Sequence, residues 1–340
     1  MSVAPVRFFS RPPASGLVDR FGRRQSYMRI SVTDRCNMRC DYCRPAAGDW
    51  SSESRERLLS FEEIARIARV AAELGVTKMR LTGGEPLVRR DLPRLVGMLA
   101  GLGGIRDLAM TTNGVLLARH ARALADAGLM RVNVSLDSLN PLRFQRLTGG
   151  ELSGVLRGIE AARRVGLEPI KINCVLMRGV NDDEMPALMD FAAREGLTLR
   201  FIELMPMKRG LDWNRNYLSV GELLRRDAVR MRLAGERPLA GSRDVARYWA
   251  MRDGGMVGFI TPMSARFCQG CNRLRLTADG GLRSCLPADR QLNLRDLLRQ
   301  GCSDDEIRGV FLRAALIKPE IGIYEFDAGT EKRSMIQIGG

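Results

Sequence analysis

Three cysteines in the stretch TDRCNMRCDYCRP, residues 33–45, are separated by three and then two residues: Cys36, Cys40 and Cys43. A structural zinc site needs four ligands and disulfides need pairs, so three thiolates on one loop predict a metal centre with an open coordination position. Three such thiolates can bind three irons of a cubane cluster while the fourth iron accepts another ligand. The spacing therefore indicates an iron–sulfur centre that performs chemistry.

A second group of three cysteines, with the spacing CX2CX13C, lies in the last quarter of the sequence: Cys268, Cys271 and Cys285. Cys302 could complete four ligands for a zinc ribbon, and that alternative stays open at this point. Cys174, inside an apolar run, is predicted to be an inert buried thiol. Six of the eight cysteines fall in these two groups, which favours metal binding over disulfides and hence a reducing compartment. We expect the cytoplasm, with an organellar matrix as the alternative because the first residues are rich in arginine.

The elements that position these cysteines follow a regular alternation of strand and helix between Met28 and Glu203. The apolar runs predict strands over residues 28–33, 78–83, 107–112, 131–136, 170–176 and 198–204. Helical periodicity predicts helices over residues 61–75, 90–103, 115–128, 154–166 and 183–196, most of them closed by a glycine. Ser60 and Glu63 fit a capping box at the first of these helices.

Six strands with helices between them imply parallel pairing, which gives either a doubly wound sheet or a barrel with its active site at the carboxyl ends of the strands. The unusual motifs follow those ends. The first cysteine group comes after the first strand and TGGEP comes after the second. The fold class is therefore α/β, and the sequence ADGGLRSC predicts a hairpin in a less regular second region.

Charge and hydropathy limit the classes of partner. Lys and Arg number 54 against 39 Asp and Glu, a net charge of +15, which favours polyanionic ligands. The basic residues are dispersed and only 6% of residues are aromatic, so we expect no nucleic-acid partner. No run of 18 apolar residues occurs, so we expect no membrane span. Residues 1–24 are predicted to be a flexible arm.

These motifs together resemble the radical S-adenosylmethionine (SAM) superfamily: CX3CX2C after the first strand, and GGEP at Gly83 to Pro86 after the second. The second cysteine group next to NRLRL, the stretches LTGGEPLVRRDL, TTNGVLLARHARAL and KINCVLMRGVND, and the terminal Gly339-Gly340 are similar to one family within it, the GTP 3′,8-cyclases of molybdenum cofactor biosynthesis. The resemblance covers nearly the whole chain.

The resemblance implies a partial (βα)6 TIM-like radical SAM barrel, over residues 25–240, and a smaller C-terminal region, residues 241–340, that carries a second iron–sulfur cluster. It implies two 4Fe-4S clusters and SAM as cofactors, with GTP converted to 3′,8-cyclo-7,8-dihydro-GTP after a 5′-deoxyadenosyl radical abstracts the ribose H3′. The implied metal ligands are Cys36, Cys40, Cys43, Cys268, Cys271 and Cys285.

Other site residues carry over by motif. SAM is expected to contact Tyr42, Gly84, Ser135 and Met205. GTP is expected to contact Arg29, Arg80, Thr111, Lys171, Arg273 and Arg275, whose guanidinium and ammonium groups suit a triphosphate. Catalytic roles are expected for Arg29, Gly339 and Gly340, and Glu85 is expected to accept a hydrogen bond from the SAM amino group.

The implied partners are an electron donor such as a flavodoxin or ferredoxin, a downstream cyclic pyranopterin monophosphate synthase, and a second copy in a homodimer. Two other readings compete with this one. The first is a radical SAM peptide-modifying enzyme with an auxiliary cluster, although such enzymes usually have more C-terminal cysteines. The second is a zinc-bearing RNA-binding protein, which the scarcity of aromatic residues disfavours.

Overall fold

Parallel strands alternate with helices through the first part of the computed structural model, which describes residues 16–44, 52–207, 212–237, 245–288, 290–324 and 335–339. The strands are β1 Tyr27–Ser31, β2 Lys78–Thr82, β3 Asp107–Thr112, β4 Arg131–Ser135, β5 Lys171–Leu176 and β6 Thr198–Glu203. The helices are α1 Phe61–Glu73, α2 Leu92–Ala100, α3 Leu117–Asp126, α4 Pro141–Thr148, α5 Leu152–Arg164 and α6 Met185–Arg194. The predicted α/β fold is confirmed.

Local sequence explains most of these boundaries. At α1 the predicted capping box is confirmed, since Ser60 Oγ accepts from the Glu63 backbone N–H while the Glu63 carboxylate accepts from the Ser60 N–H. Helix α4, which no prediction included, begins after Asn140, whose side chain accepts from the N–H groups of Leu142 and Arg143. It ends at Gly149 in the left-handed conformation. The sequence analysis missed α4 because its eight residues carry little periodicity.

The second region adds further elements. They are α7 Trp213–Asn216, α8 Val220–Arg225, α9 Asp227–Arg230, β7 Leu233–Glu236, β8 Arg247–Met251, β9 Met256–Ile260, β10 Arg273–Leu276, β11 Gly281–Arg283, β12 Leu292–Asn293, α10 Arg295–Arg299, α11 Asp304–Leu316 and α12 Met335–Ile338. The predicted hairpin at ADGGLRSC is confirmed, because β10 and β11 pair antiparallel across it.

One sheet contains every strand that the structure describes, in the order β12-β11-β10-β1-β2-β3-β4-β5-β6-β9-β8-β7. Both β9 and β10 extend the six parallel strands, since β9 runs parallel to β6 and β10 runs parallel to β1. The predicted boundary at residue 240 lies in 238–244, outside the described residues. The strands beyond it nevertheless belong to the sheet of the first region.

Residues 16–24 pack against the body of the protein, so the prediction of a flexible arm is wrong for them. Leu17 is fully buried and its backbone exchanges hydrogen bonds with Leu74 and Gln25. Arg23 forms a buried ion pair of 2.6 Å with Asp19. The remainder of the predicted arm, residues 1–15, lies outside the described residues.

Apolar and polar residues alternate along the strands, so that one face of the sheet packs in the hydrophobic core and the other face lines a polar cavity. On β1, Met28 and Ile30 are fully buried in the core shared with the helices, whereas Arg29 between them lines an internal cavity. The same alternation holds on β2, where Arg80 lies between Met79 and Leu81. Strand geometry therefore directs charged side chains inward. None of the helices described is long and apolar enough to cross a membrane.

Candidate active site

An internal cavity of about 860 Å³ lies within the curved sheet, and it is lined by residues of the first and second regions together. All of the cysteines predicted as metal ligands line it: Cys36, Cys40, Cys43, Cys268, Cys271 and Cys285. So do the residues predicted to contact SAM, which are Tyr42, Gly84, Ser135 and Met205, and those predicted to contact GTP, which are Arg29, Arg80, Thr111, Lys171, Arg273 and Arg275. The fold thus brings these residues to one space.

The first cysteine group lies at the carboxyl ends of the parallel strands, on the loop that follows β1. Asp137, two residues after the end of β4, holds this loop: its Oδ2 accepts from the Tyr42 hydroxyl at 2.7 Å and its Oδ1 accepts from the Val175 N–H at 2.8 Å. Burial raises the pKa of Asp137 to about 6, although both hydrogen bonds lower it. These two hydrogen bonds therefore tie the loop to β4 and β5.

Gly83 and Gly84 are required by the backbone of that same loop. A Cβ at Gly83 would lie 2.4 Å from Thr33 O, and one at Gly84 would lie 2.3 Å from Arg35 O. The Gly84 and Glu85 N–H groups donate to those two carbonyls at 2.7 and 2.8 Å. The glycines thus let β2 meet the entry to the cysteine loop.

Glu85 does not occupy the place expected for it. Its carboxylate accepts from the Thr112 hydroxyl at 2.7 Å, from the Asn113 N–H at 2.7 Å and from the Leu87 N–H at 3.1 Å. It is buried away from the cavity lining, so the expectation that it accepts from the SAM amino group is wrong in this structure. The carboxylate instead joins the ends of β2 and β3.

The second cysteine group lies at the opposite end of the cavity. Cys268 and Cys271 come before the amino end of β10, and Cys285 follows antiparallel β11. Lys318 is buried behind them, and its ammonium donates to the carbonyls of Arg273 and Ser284 at 2.6 Å each. Burial raises the pKa of the Cys271 thiol, but Lys318 and Arg273 outweigh that effect and lower it. This environment favours a thiolate at one end of the cavity.

Each group of three thiols that lines the cavity supplies the donor set of a cubane cluster. In the part of the chain that the structure describes, no group of three His, Cys, Asp or Glu side chains is arranged to hold one metal ion. A cubane takes each thiolate on a different iron, so its ligands are farther apart than those of zinc. Burial raises the pKa of Cys36 and Cys40, so metal binding there must release protons. Both sites match the soft donor set of iron–sulfur clusters.

The remaining cysteines do not join these sites. Cys302 is buried beside α1, where its carbonyl accepts from Arg66 Nη2 at 2.6 Å, and it does not line the cavity. The zinc-ribbon alternative therefore lacks its fourth ligand from this residue. Cys174 is fully buried on the core face of β5, as predicted.

Arginines from three neighbouring strands form a row in the cavity wall. Arg29 of β1 lies in register between Arg275 of β10 and Arg80 of β2. The Cα atom of Arg29 is therefore about 4.8 Å from the Cα atom of each neighbour. Burial lowers the pKa of Arg29 well below its ordinary value, and Arg275 and Arg80 lower it further. Burial and the neighbouring Arg273 lower the pKa of Arg275 to about 10. An anionic ligand would relieve this repulsion.

The end of the chain reaches the same wall. The Gly339 carbonyl accepts from the Thr82 hydroxyl at 3.1 Å and from Arg275 Nη1 at 3.4 Å. Ile336 and Ile338 of α12 are buried and anchor this segment. Gly340, for which a catalytic role was expected, lies outside the described residues.

Several cavity residues were missed by the sequence predictions: Lys78, Asn133, Asp137, Asn173, Arg200 and Arg266. Five of them lie on the inward face or near the end of a strand. The alternation of polar and apolar residues along β2 to β6 was the sequence signal that could have indicated them. Arg200 illustrates the point, since its guanidinium donates to Asn173 Oδ1 at 2.7 and 3.0 Å from the next strand.

Comparison with known sequences gives matches over almost the entire chain. The profile of the radical SAM superfamily matches residues 30–192, and that described as Molybdenum Cofactor Synthesis C matches residues 197–322. The GTP 3′,8-cyclase of Pelotomaculum thermopropionicum is 45% identical over 330 residues, covering 95% of this chain and 99% of that protein. The GTP 3′,8-cyclase of Moorella thermoacetica is 44% identical over 323 residues, covering 95% of this chain and 99% of its own length.

Solved structures share the fold. Streptococcus suis SuiB bound to S-adenosylmethionine superposes with a TM-score of 0.59 at 16% sequence identity, covering 84% of this chain and 68% of that one. At this level of identity the likeness supports the radical SAM fold and not a particular substrate.

Proposed function

This chain belongs to the GTP 3′,8-cyclase family of radical SAM enzymes, and from that premise we propose how its cavity converts GTP to 3′,8-cyclo-7,8-dihydro-GTP, the first step of molybdenum cofactor biosynthesis. One observation carries the proposal. Two groups of three cysteines lie at opposite ends of a single cavity whose wall is rich in arginine and lysine. A ligand between them can be held by its charge and presented to a cluster at either end.

The chain's own residues have separate tasks in this scheme. The first cysteine group holds the cluster that binds SAM, and the second holds the auxiliary cluster. When bound, the first cluster and SAM supply the 5′-deoxyadenosyl radical that abstracts the ribose H3′. SAM is held by four residues that line the cavity: Tyr42, Gly84, Ser135 and Met205.

The arginine row binds and orients the nucleotide. A triphosphate carries about four negative charges, and planar guanidinium groups pair with it bidentately. Arg29, Arg80 and Arg275 are already fixed side by side, so binding costs little reorganisation. Arg29 is the middle residue of the row, and we assign its guanidinium the role of a proton donor when the cyclised base is protonated.

The chain end completes the cavity wall. The Gly339 carbonyl ties the tail to Thr82 and Arg275, which belong to the strands that flank β1. We propose that Gly339 and Gly340 act next to the bound nucleotide, because glycine allows a backbone to approach a ligand closely.

Further partners belong to the same proposal. An external reductant such as a flavodoxin or ferredoxin supplies electrons, and the net charge of +15 favours docking of an acidic protein. The product passes to a cyclic pyranopterin monophosphate synthase. We also propose a homodimer, which light scattering of the purified protein can test, and a cytoplasmic location, which suits oxygen-sensitive thiolate ligands.

Anaerobic reconstitution tests the proposal. The protein is loaded with iron and sulfide, both are counted, and 5′-deoxyadenosine is measured with SAM, dithionite and either GTP or no nucleotide. We expect about eight irons per chain and 5′-deoxyadenosine formation that depends on GTP. Deoxyadenosine formation that is indifferent to GTP would refute the substrate while leaving the radical SAM assignment in place.

Cysteine variants separate the two sites. Cys268→Ser should reduce the iron to about four per chain and abolish GTP consumption. Cys174→Ser is the matched control, because this thiol is buried in the core and not in the cavity, and it should keep about eight irons. Equal iron in both variants would contradict the assignment of the second cluster.

A further inference from the structure

Asn133 is a fully buried carboxamide in the cavity lining, and neither of its side-chain polar atoms has a hydrogen-bond partner among the residues that the structure describes. Leaving a buried donor or acceptor without a partner destabilises the folded chain. The neighbouring strand carries a second such group, since Thr111 Oγ1 is also buried without a partner in the described chain. In register, Thr111 lies opposite Asn133.

The chemistry of these three atoms defines what they can bind. A carboxamide offers both a donor and an acceptor, and a hydroxyl offers the same pair. A phosphate oxygen, which only accepts, would leave the Asn133 Oδ1 unsatisfied. The expected ligand group is therefore neutral and able both to donate and to accept, as an alcohol is.

The position of Asn133 along β4 identifies the ligand group that it contacts. It is the central residue of β4, one inward-facing position before Ser135, and it lies between the two cysteine groups at either end of the strands. If SAM occupies the end near Cys36, the sugar that loses H3′ must lie directly beneath it. Asn133 and Thr111 form the wall at that level.

We infer that Asn133, together with Thr111, binds the ribose hydroxyls of the nucleotide and so selects a ribonucleotide in the reactive orientation. This inference rests on the proposed function. It adds a specificity-determining residue that the motifs did not include. Asn173, on the next strand, is not equivalent, because its Oδ1 is already occupied by Arg200.

Equilibrium binding to reconstituted protein with SAM present tests the inference. GTP, 2′-deoxy-GTP, 3′-deoxy-GTP and inosine triphosphate are compared on the native chain and on Asn133→Ala. On the native chain, removal of a contacted hydroxyl should weaken binding roughly 10- to 100-fold. In Asn133→Ala the same removal should weaken binding less than about threefold, while the ratio between GTP and inosine triphosphate stays unchanged.

Two further measurements distinguish this role from a structural one. Asn133→Ala should unfold at the same temperature as the native chain or higher, since it removes an unsatisfied group. Asn133→Ser, which keeps a hydroxyl, should retain part of the discrimination. Asn173→Ala should instead weaken all four nucleotides alike by releasing Arg200.

The outcomes separate this inference from the proposed function. If the native chain discriminates the deoxynucleotides and Asn133→Ala does so equally, Asn133 binds only a water or nothing, and the inference is wrong while the function stands. If the reconstituted native chain shows no GTP-dependent SAM cleavage, the function itself is wrong. Loss of discrimination confined to the sugar supports both.

Discussion

Glu85 is a buried carboxylate whose protonation is linked to stability. Burial raises its pKa from 4.5 to about 7, although hydrogen bonds from Asn113, Thr112 and Leu87 lower it. The folded chain therefore binds more protons than the unfolded chain between pH 4.5 and 7, and folding stability falls as the pH rises through that window. The loss amounts to about 3 kcal/mol at pH 7.

Glu85→Gln removes the contribution of this carboxyl to the pH dependence of stability. In the apoprotein we expect the free energy of unfolding of the native chain to decrease between pH 5 and 7, and that of Glu85→Gln to decrease less steeply, because the contribution of Asp137, whose pKa is also raised, remains. Denaturant titration at several pH values measures both. Parallel pH profiles for the two proteins would contradict a raised pKa at this carboxyl.

Gly339 has a backbone that a side chain disfavours. Its φ is +78°, and a Cβ there would lie 3.0 Å from Ser31 Cβ and 3.0 Å from Thr82 Oγ1. Gly339→Ala should move the tail from the cavity wall and reduce cyclised product at least tenfold. Product formed per 5′-deoxyadenosine is the measurement. Gly103→Ala, where a Cβ meets nothing within 4 Å, is the control and should leave that ratio unchanged.

Individual site residues could be predicted from the sequence only where they belong to a recognisable motif. Cysteines and arginines next to recognisable spacings were predicted and line the cavity. Asn133 was missed because an asparagine within RVNVSL shows nothing distinctive until the strand's inward face is known. The position of Glu85 was also wrong, since the spacing of GGEP does not indicate which way its carboxylate turns.

Strand and helix order could be predicted from periodicity, and each of the six parallel strands lies within a few residues of its expected range. Pairing between distant strands could not be. The contact of β10 with β1 joins residues near the two ends of the sequence, and no local pattern specifies it. The same limit applies to residues 16–24, whose order depends on partners far along the chain, such as Leu74 and Cys268.

Arg23 connects those N-terminal residues to the second cysteine group. Its guanidinium donates to the carbonyls of Cys268, Pro319 and Glu320 at 2.7, 2.7 and 2.9 Å, while Asp19 balances its charge. It thus holds the cysteine turn and the segment next to Lys318 together. Removing one partner of a buried ion pair costs about 3–5 kcal/mol.

Arg23→Ala should lower stability by this amount and release iron selectively from the second site. Iron counting and spectroscopy of the reconstituted protein should show the first cluster retained and the second diminished. Arg20→Ala is the matched control, since Arg20 is exposed and its guanidinium lies 5.5 Å from the centroid of the Phe21 ring. Equal iron in the two variants would contradict the role of Arg23.

At the scale of the whole molecule, net charge governs the approach of substrate. A chain of charge +15 with a cationic cavity attracts GTP, and salt screens this attraction over about 8 Å at physiological ionic strength. Raising salt from 50 to 500 mM should therefore raise the KM for GTP roughly tenfold and that for SAM far less. Steady-state assays across this range check it, and equal effects on both substrates would argue against steering.

The pairing of β10 with β1 also has a consequence for how the polypeptide acquires its fold during synthesis. β1 is among the first strands to leave the ribosome, yet its second neighbour comes from the last quarter of the chain. Until then its edge stays unpaired, with backbone groups available to other chains. Contacts so distant in sequence form slowly. The unpaired edge of β1 therefore persists through most of translation, and metal loading of the second site can begin only after translation is nearly complete.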